Sequence, residues 1–66
     1  MKILTDFGCV NVLKHPRGEW EVWCDERRAE SKNLAHALWS IGIPSPSARA
    51  LATDVIHGLE GWASAN

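Results

Sequence analysis

Residues 9–24 of the chain read CVNVLKHPRGEWEVWC. The segments from Cys9 to Lys14 and from Glu19 to Cys24 are rich in β-branched and aromatic residues that alternate with polar ones, which is typical of strands. Pro16 suits the second position of a type I turn, and Gly18 accepts the left-handed conformation that a three-residue hairpin loop requires after such a turn. This stretch therefore predicts a β-hairpin.

The turn also predicts the register of the hairpin, because a three-residue loop pairs His15 with Glu19 and Val12 with Val22. One face then carries the apolar set Val10, Val12, Trp20, Val22 and Cys24, and we expect this face to meet the core. The other face carries a mixture that tolerates water, namely Cys9, Asn11, Leu13, His15, Glu19, Glu21 and Trp23.

The turn also bears on the two cysteines. In the register of a three-residue loop, Cys9 and Cys24 lie on opposite faces of the hairpin, so we expect free thiols. A four-residue loop would instead bring Cys9 opposite Cys24.

Two amphipathic helices are predicted after the hairpin. The first is expected to begin between Asp25 and Ser31 and to end near Gly42, which can cap it before a proline. Its apolar stripe is Leu34, Ala37, Leu38 and Ile41. Trp39 falls beside that stripe and is expected at the rim of the core.

The second helix is predicted to start with Ser45 as its N-cap and Pro46 at its first helical position. Its apolar stripe is Ala48, Leu51, Ala52, Val55, Ile56, Leu59, Trp62 and Ala63. Residues 2–5 are expected to add a third strand. The predicted fold is thus α+β: a small β-hairpin, or a three-stranded antiparallel sheet, followed by two antiparallel amphipathic helices, in a single domain over residues 1–66.

Composition excludes several classes of function. The 66 residues carry a formal net charge of −1 and are 45% hydrophobic, so the chain is expected to fold around one core and has no overall field for nucleic acid or an anionic membrane. No apolar stretch approaches the length of a membrane span, and Asp6 comes too early for a signal peptide. We therefore expect a cytoplasmic location and no membrane partner.

Metal binding and catalysis are not favoured. Cys9, Cys24 and the histidines at 15, 36 and 57 include zinc-ligand types, but the close ligand pairs that mark a zinc site are absent from the sequence. A chain this short also has little material for a water-excluding catalytic pocket. We expect no cofactor and no enzymatic activity. A thiol-based redox or metal sensor is the third interpretation of the sequence.

A set of basic residues beside the hairpin raises a second interpretation, a small nucleic-acid-binding or transcription-regulating module. The residues are Lys14, Arg17, Arg27, Arg28 and Lys32. Acidic residues are interleaved with them, which cancels much of the field and is more typical of a solvated surface. Nucleic acid is therefore the less favoured partner.

Four tryptophans in 66 residues point to the favoured interpretation. Trp20 and Trp62 lie on predicted core faces, whereas Trp23 and Trp39 do not, and tryptophan is enriched at the hot spots of protein interfaces. Together with Leu13, these two residues are predicted to form an exposed apolar patch that binds another protein. The predicted function is non-enzymatic protein binding, with homodimerisation through the hairpin edge or this patch as one form of it. Small phage-borne inhibitors of host machinery, anti-CRISPR proteins included, are similar in size and architecture but share no motif with this chain.

Overall fold

The computed structural model of the chain describes the backbone of residues 1–65 and the side chains of residues 1–58. Four strands come first, followed by two helices. They are β1 (Lys2–Thr5), β2 (Gly8–Lys14), β3 (Trp20–Cys24), β4 (Arg27–Ser31), α1 (Leu34–Ser40) and α2 (Ser45–Ala65). The strands form one antiparallel sheet in the order β1-β2-β3-β4. The α+β prediction is confirmed.

The central hairpin has the predicted turn and register. Val12 lies opposite Val22 in the β2–β3 ladder. The backbone N–H of His15 donates to the carbonyl of Glu19 at 2.8 Å, and Gly18 has a φ of 101°. Since only glycine adopts such a φ readily, Gly18 fixes the loop and therefore which side chains share a face.

The expected third strand is present as β1. It pairs with β2 so that Ile3 lies opposite Val10, on the core face. The N-terminal ammonium of Met1 donates to the carbonyl of Val12 at 2.8 Å, and the N–H of Val12 donates back to the carbonyl of Met1 at 2.7 Å. These bonds tie the start of the chain to the sheet.

The predicted start of the first helix is wrong. Residues 27–31 form β4, which pairs with β3, and α1 begins only at Leu34, capped by the side chain of Asn33. Asp25 adopts a φ of 55° in the turn between β3 and β4, a left-handed conformation that aspartate tolerates better than most residues. Arginine, alanine and glutamate in this segment favour helices, but pairing along the edge of β3 outweighs that preference.

The helices cover one face of the sheet, and the core lies between these two layers. The predicted stripe of α1 is fully buried, as is the predicted core face of the hairpin apart from the half-buried Cys24. The core consists of Val10, Val12, Trp20, Val22, Leu34, Ala37, Leu38, Ile41, Ile43, Ala48, Ala52 and Val55. α1 packs against β3, β4 and α2.

Helix α2 begins one residue earlier than predicted, because the N–H of Ala48 donates to the carbonyl of Pro44 at 2.8 Å and Ser45 is already helical. Its buried positions follow the predicted stripe, with Leu51 and Ile56 half-buried at the margins. The predicted stripe positions beyond residue 58 lie outside the described side chains. Among the described residues, neither helix combines the length and apolarity that a membrane crossing requires.

Candidate functional site: the open face of the sheet

The face of the sheet that points away from the helices is the candidate site, and we refer to it as the open face. The strand registers place nine side chains on it: Lys2, Leu4, Cys9, Asn11, Leu13, Glu21, Trp23, Arg28 and Glu30. Leu4 is 89% exposed and Leu13 46% exposed, whereas Val10 and Val12 on the core face of β2 are buried. This face therefore presents apolar side chains to solvent.

Glu21 lies at the centre of the open face and is only 5% exposed. Nε2 of His15 is 2.8 Å from its Oε1, and the guanidinium of Arg28 donates to its Oε2. The hydrogen bond from His15, followed by that from Arg28, holds the pKa of the Glu21 carboxyl below its ordinary value. The carboxylate is thus ionised and fully partnered at neutral pH.

Trp23 lies two residues along β3 from Glu21 and is half-buried. The guanidinium carbon of Arg28 is 5.9 Å from the centre of its ring, within the range of a cation–π contact. On the neighbouring strand, the side-chain amide of Asn11 donates to the backbone carbonyl of Trp23 at 3.4 Å. Arg28 therefore links the charged centre of the open face to its largest aromatic side chain.

Leu13 lies directly opposite Glu21 in the β2–β3 ladder, and Glu30 lies opposite Glu21 on the other side. Two carboxylates that face each other across strands repel, and the guanidinium of Arg28 beside Glu21 offsets this repulsion. Apolar contact area at Leu13 and Trp23 thus flanks an ordered charged centre. Such a surface suits recognition of a protein with an apolar patch and complementary polar groups.

Trp39 lies elsewhere. It is 54% exposed on α1, with its ring centre 5.7 Å from that of His36, beside a groove between the two helices that Ser45 and Arg49 also line. Since α1 packs on the core face of the sheet, Trp39 and Trp23 lie in opposite layers. The expectation that these two tryptophans share one patch does not hold, whereas Leu13 and Trp23 do share a face.

The five basic residues predicted as contacts for nucleic acid are dispersed. Arg28 is engaged by Glu21 on the open face, and Nη1 of Arg27 donates to the carbonyl of Ile41 at 3.1 Å on the side of the helices. The ammonium of Lys14 is 5.2 Å from the centre of the Trp20 ring. Arg17 is exposed in the hairpin loop and Lys32 follows β4. The structure does not gather them into one basic patch.

Both cysteines are free, in agreement with the sequence prediction. Cys9 is exposed on the open face and Cys24 is half-buried on the side of the core. Within the described part of the chain, His15, Glu21 and Glu30 bring ligand-type atoms within 4.8 Å of one another. The carboxylate of Glu21, the central member of this cluster, is already hydrogen-bonded to His15 and Arg28.

Sequence reasoning missed the partners of Glu21. The alternation of β3 places Glu21 on the water-facing side, which predicts a solvated carboxylate. Arg28 approaches it only because residues 27–31 form a strand beside β3. The sequence signal was the spacing of Arg28 and Glu30, which are two residues apart and so lie on one side of the segment when it is taken as a strand.

Comparison with known proteins does not assign this chain to a family. No family model matches it, and neither the curated proteins nor the solved structures yield a significant match.

Proposed function

We propose that this chain is a non-enzymatic binding module that recognises another protein through Leu13 and Trp23 on the open face. It would act in the cytoplasm as a small inhibitor of cellular machinery, in the manner of phage-borne inhibitors such as anti-CRISPR proteins. The inhibitor role rests on similarity of size and architecture alone.

The observation that carries the proposal is the difference in burial between the two faces of the sheet. Helices bury the core face, whereas the open face leaves Leu13 46% exposed next to a half-buried Trp23. Both side chains flank Glu21, whose carboxylate is held by hydrogen bonds with His15 and Arg28. A partner that covers Leu13 and Trp23 removes their apolar surface from water, which favours affinity. The loss of conformational entropy on binding is small where neighbouring side chains are already held by hydrogen bonds.

Site-specific photocrosslinking tests the proposal. Leu13→p-benzoylphenylalanine should capture a defined protein partner in host cells, and unlabelled wild-type chain should compete for it. The same photoreactive residue at Ala50, exposed on the outer side of α2, is the matched control and should not capture that partner.

The captured partner is then purified and its affinity measured by calorimetry. Trp23→Ala should weaken binding by about 2 kcal/mol or more, as truncation of a hot spot does. Trp39→Ala should leave the affinity unchanged, because one flat partner surface does not reach both layers. Equal losses at both tryptophans, or binding to random duplex DNA with a steep salt dependence, would contradict the proposal.

A further inference from the structure

The two edges of the sheet differ in their protection. β4, at one edge, carries the exposed charges of Arg27, Arg28 and Glu30 and packs against α1. Charged side chains and a covering helix are common ways to prevent another strand from pairing with an edge. β1, at the other edge, is Lys-Ile-Leu-Thr, and its Leu4 is 89% exposed. The β1 edge is the less protected one.

The hydrogen-bonding groups on the β1 edge can be assigned from the ladder. Met1 and Val12 exchange both backbone hydrogen bonds, so Met1 and Ile3 direct their N–H and C=O groups toward β2. Lys2 and Leu4, which alternate with them, direct their groups away from β2. An added strand would therefore bond to the backbone of Lys2 and Leu4.

A groove of about 210 Å³ runs beside this edge, on the side of the helices. Its lining is mainly apolar and includes Ile3 of β1 with Leu51 and Val55 of α2. Ile3 and Leu51 are both half-buried, so the groove has apolar surface left to cover. Among the described residues that line it, Asp54 has the only charged side chain, and the N-terminal ammonium of Met1 is bonded to the carbonyl of Val12.

Charge identifies the kind of strand that fits. On the groove side, Asp54 favours a basic residue, and on the open side the exposed Lys2 favours an acidic residue directly opposite it. A second copy that paired through its own β1 would place the side chains of Met1, Ile3 and Thr5 on the groove side, and none of these side chains is basic. A segment of a different protein meets the charges better than a second copy does.

We infer that the β1 edge binds an extended peptide segment of another protein as a fifth antiparallel strand, with an apolar side chain beside Ile3 in the groove, a basic one reaching Asp54 and an acidic one opposite Lys2. This mode of recognition combines backbone hydrogen bonds for affinity with alternate side chains for specificity. It uses a different surface from Leu13 and Trp23 and stands independently of the function proposed above.

The probe is the peptide acetyl-Thr-Val-Ile-Glu-Lys-amide, whose central isoleucine lies opposite Ile3 in antiparallel pairing. In a ¹⁵N-resolved NMR titration, it should shift the amide signals of β1 and of the groove side of α2. The same peptide N-methylated at valine and glutamate cannot donate to β1 and should bind at least about tenfold more weakly. Replacing the lysine of the peptide by glutamate should also weaken binding. Asp54→Asn in the protein should remove this preference for lysine over glutamate.

Two protein variants test the edge and the groove separately. Leu4→Pro removes the outward N–H at an edge position where proline is tolerated, and Leu4→Thr is the matched control that keeps it. Gly58→Leu should fill the groove without a clash, since a Cβ at Gly58 meets nothing within 4 Å. Leu4→Pro and Gly58→Leu should abolish the peptide shifts, whereas Leu4→Thr and Trp23→Ala should preserve them.

Several outcomes would overturn the inference. These are shifts confined to the open face around Leu13 and Trp23 without shifts in β1, no shifts at millimolar peptide, or equal binding of the N-methylated peptide. A chain that sediments as a dimer without peptide, and as a monomer after Leu4→Pro, would show that a second copy occupies the edge. If Leu4→Pro fails to fold, the N-methylated peptide and Gly58→Leu still test peptide binding at the edge, and sedimentation of the wild-type chain still tests dimerisation.

Discussion

The two faces of the sheet are built by different kinds of interaction. On the core face, Val10, Val12 and Val22 are each no more than 3% exposed and pack under the helices through non-directional apolar contacts. On the open face, Glu21 is also buried, but by directed contacts from His15 and Arg28. An apolar face depends on composition and alternation, whereas a buried charge depends on which strands are neighbours.

The largest expected effect on stability comes from the packing of α1 on the core face of the sheet. Leu38 is fully buried on α1, so Leu38→Ala should leave a cavity and lower the free energy of unfolding by about 2–5 kcal/mol. Its neighbour Trp39 is 54% exposed, and Trp39→Ala should change stability by no more than about 0.5 kcal/mol. Urea denaturation of both variants makes the comparison. A larger loss for Trp39→Ala would mean that α1 faces the sheet in another orientation.

A smaller and pH-dependent effect is expected on the open face. The folded-state pKa of Glu21 lies below its ordinary value of 4.5, so its ionisation stabilises the fold above that pH. The contribution is lost as the pH falls from 4.5 through the folded-state pKa. Glu21→Gln should therefore unfold at lower urea concentration than wild type at neutral pH, and the difference should shrink in acid.

Glu30→Gln is the matched control for Glu21→Gln. Glu30 is exposed and faces Glu21 across the β3–β4 ladder, so its neutralisation removes a repulsion and should leave stability unchanged or slightly raised at neutral pH. A difference between wild type and Glu21→Gln that stays constant down to the acid limit would show that the charge of Glu21 is not what stabilises the open face.

The parts of the fold that could be predicted are those with local causes. Pro16 and Gly18 determine the hairpin loop and hence its register, and the spacing of Leu34, Ala37 and Leu38 determines the buried side of α1. β4 could not be predicted in this way, because residues 27–31 contain one apolar side chain, Ala29, and mostly helix-favouring residues. Its strand conformation comes from pairing with β3, a tertiary effect.

The same limit applies to the candidate site. Alternation along the hairpin placed Leu13 and Trp23 on the water-facing side, where the structure has them. A helical wheel placed Trp39 outside the core stripe but did not relate it to the far side of the sheet. The contact of Arg28 with Glu21 could not be predicted without knowing that residues 27–31 form β4. Positions along one element were predictable, whereas relations between elements were only partly so.

The smallest expected effect separates the two faces by thiol chemistry. Cys9 is exposed on the open face and Cys24 is half-buried toward the core, and both thiols are free. Under native conditions a thiol reagent should modify Cys9 faster than Cys24, because access to the sulfur limits the reaction. Cys9→Ser should leave one slowly reacting thiol and change the free energy of unfolding by no more than about 0.5 kcal/mol. Rates from a colorimetric thiol assay, with intact mass after alkylation in denaturant, check both statements.

Two outcomes would contradict this prediction. Equal reaction rates under native conditions would mean that Cys24 is as accessible as Cys9. A chain that stays unlabelled and has the mass of a disulfide would mean that the hairpin register brings the two sulfurs together.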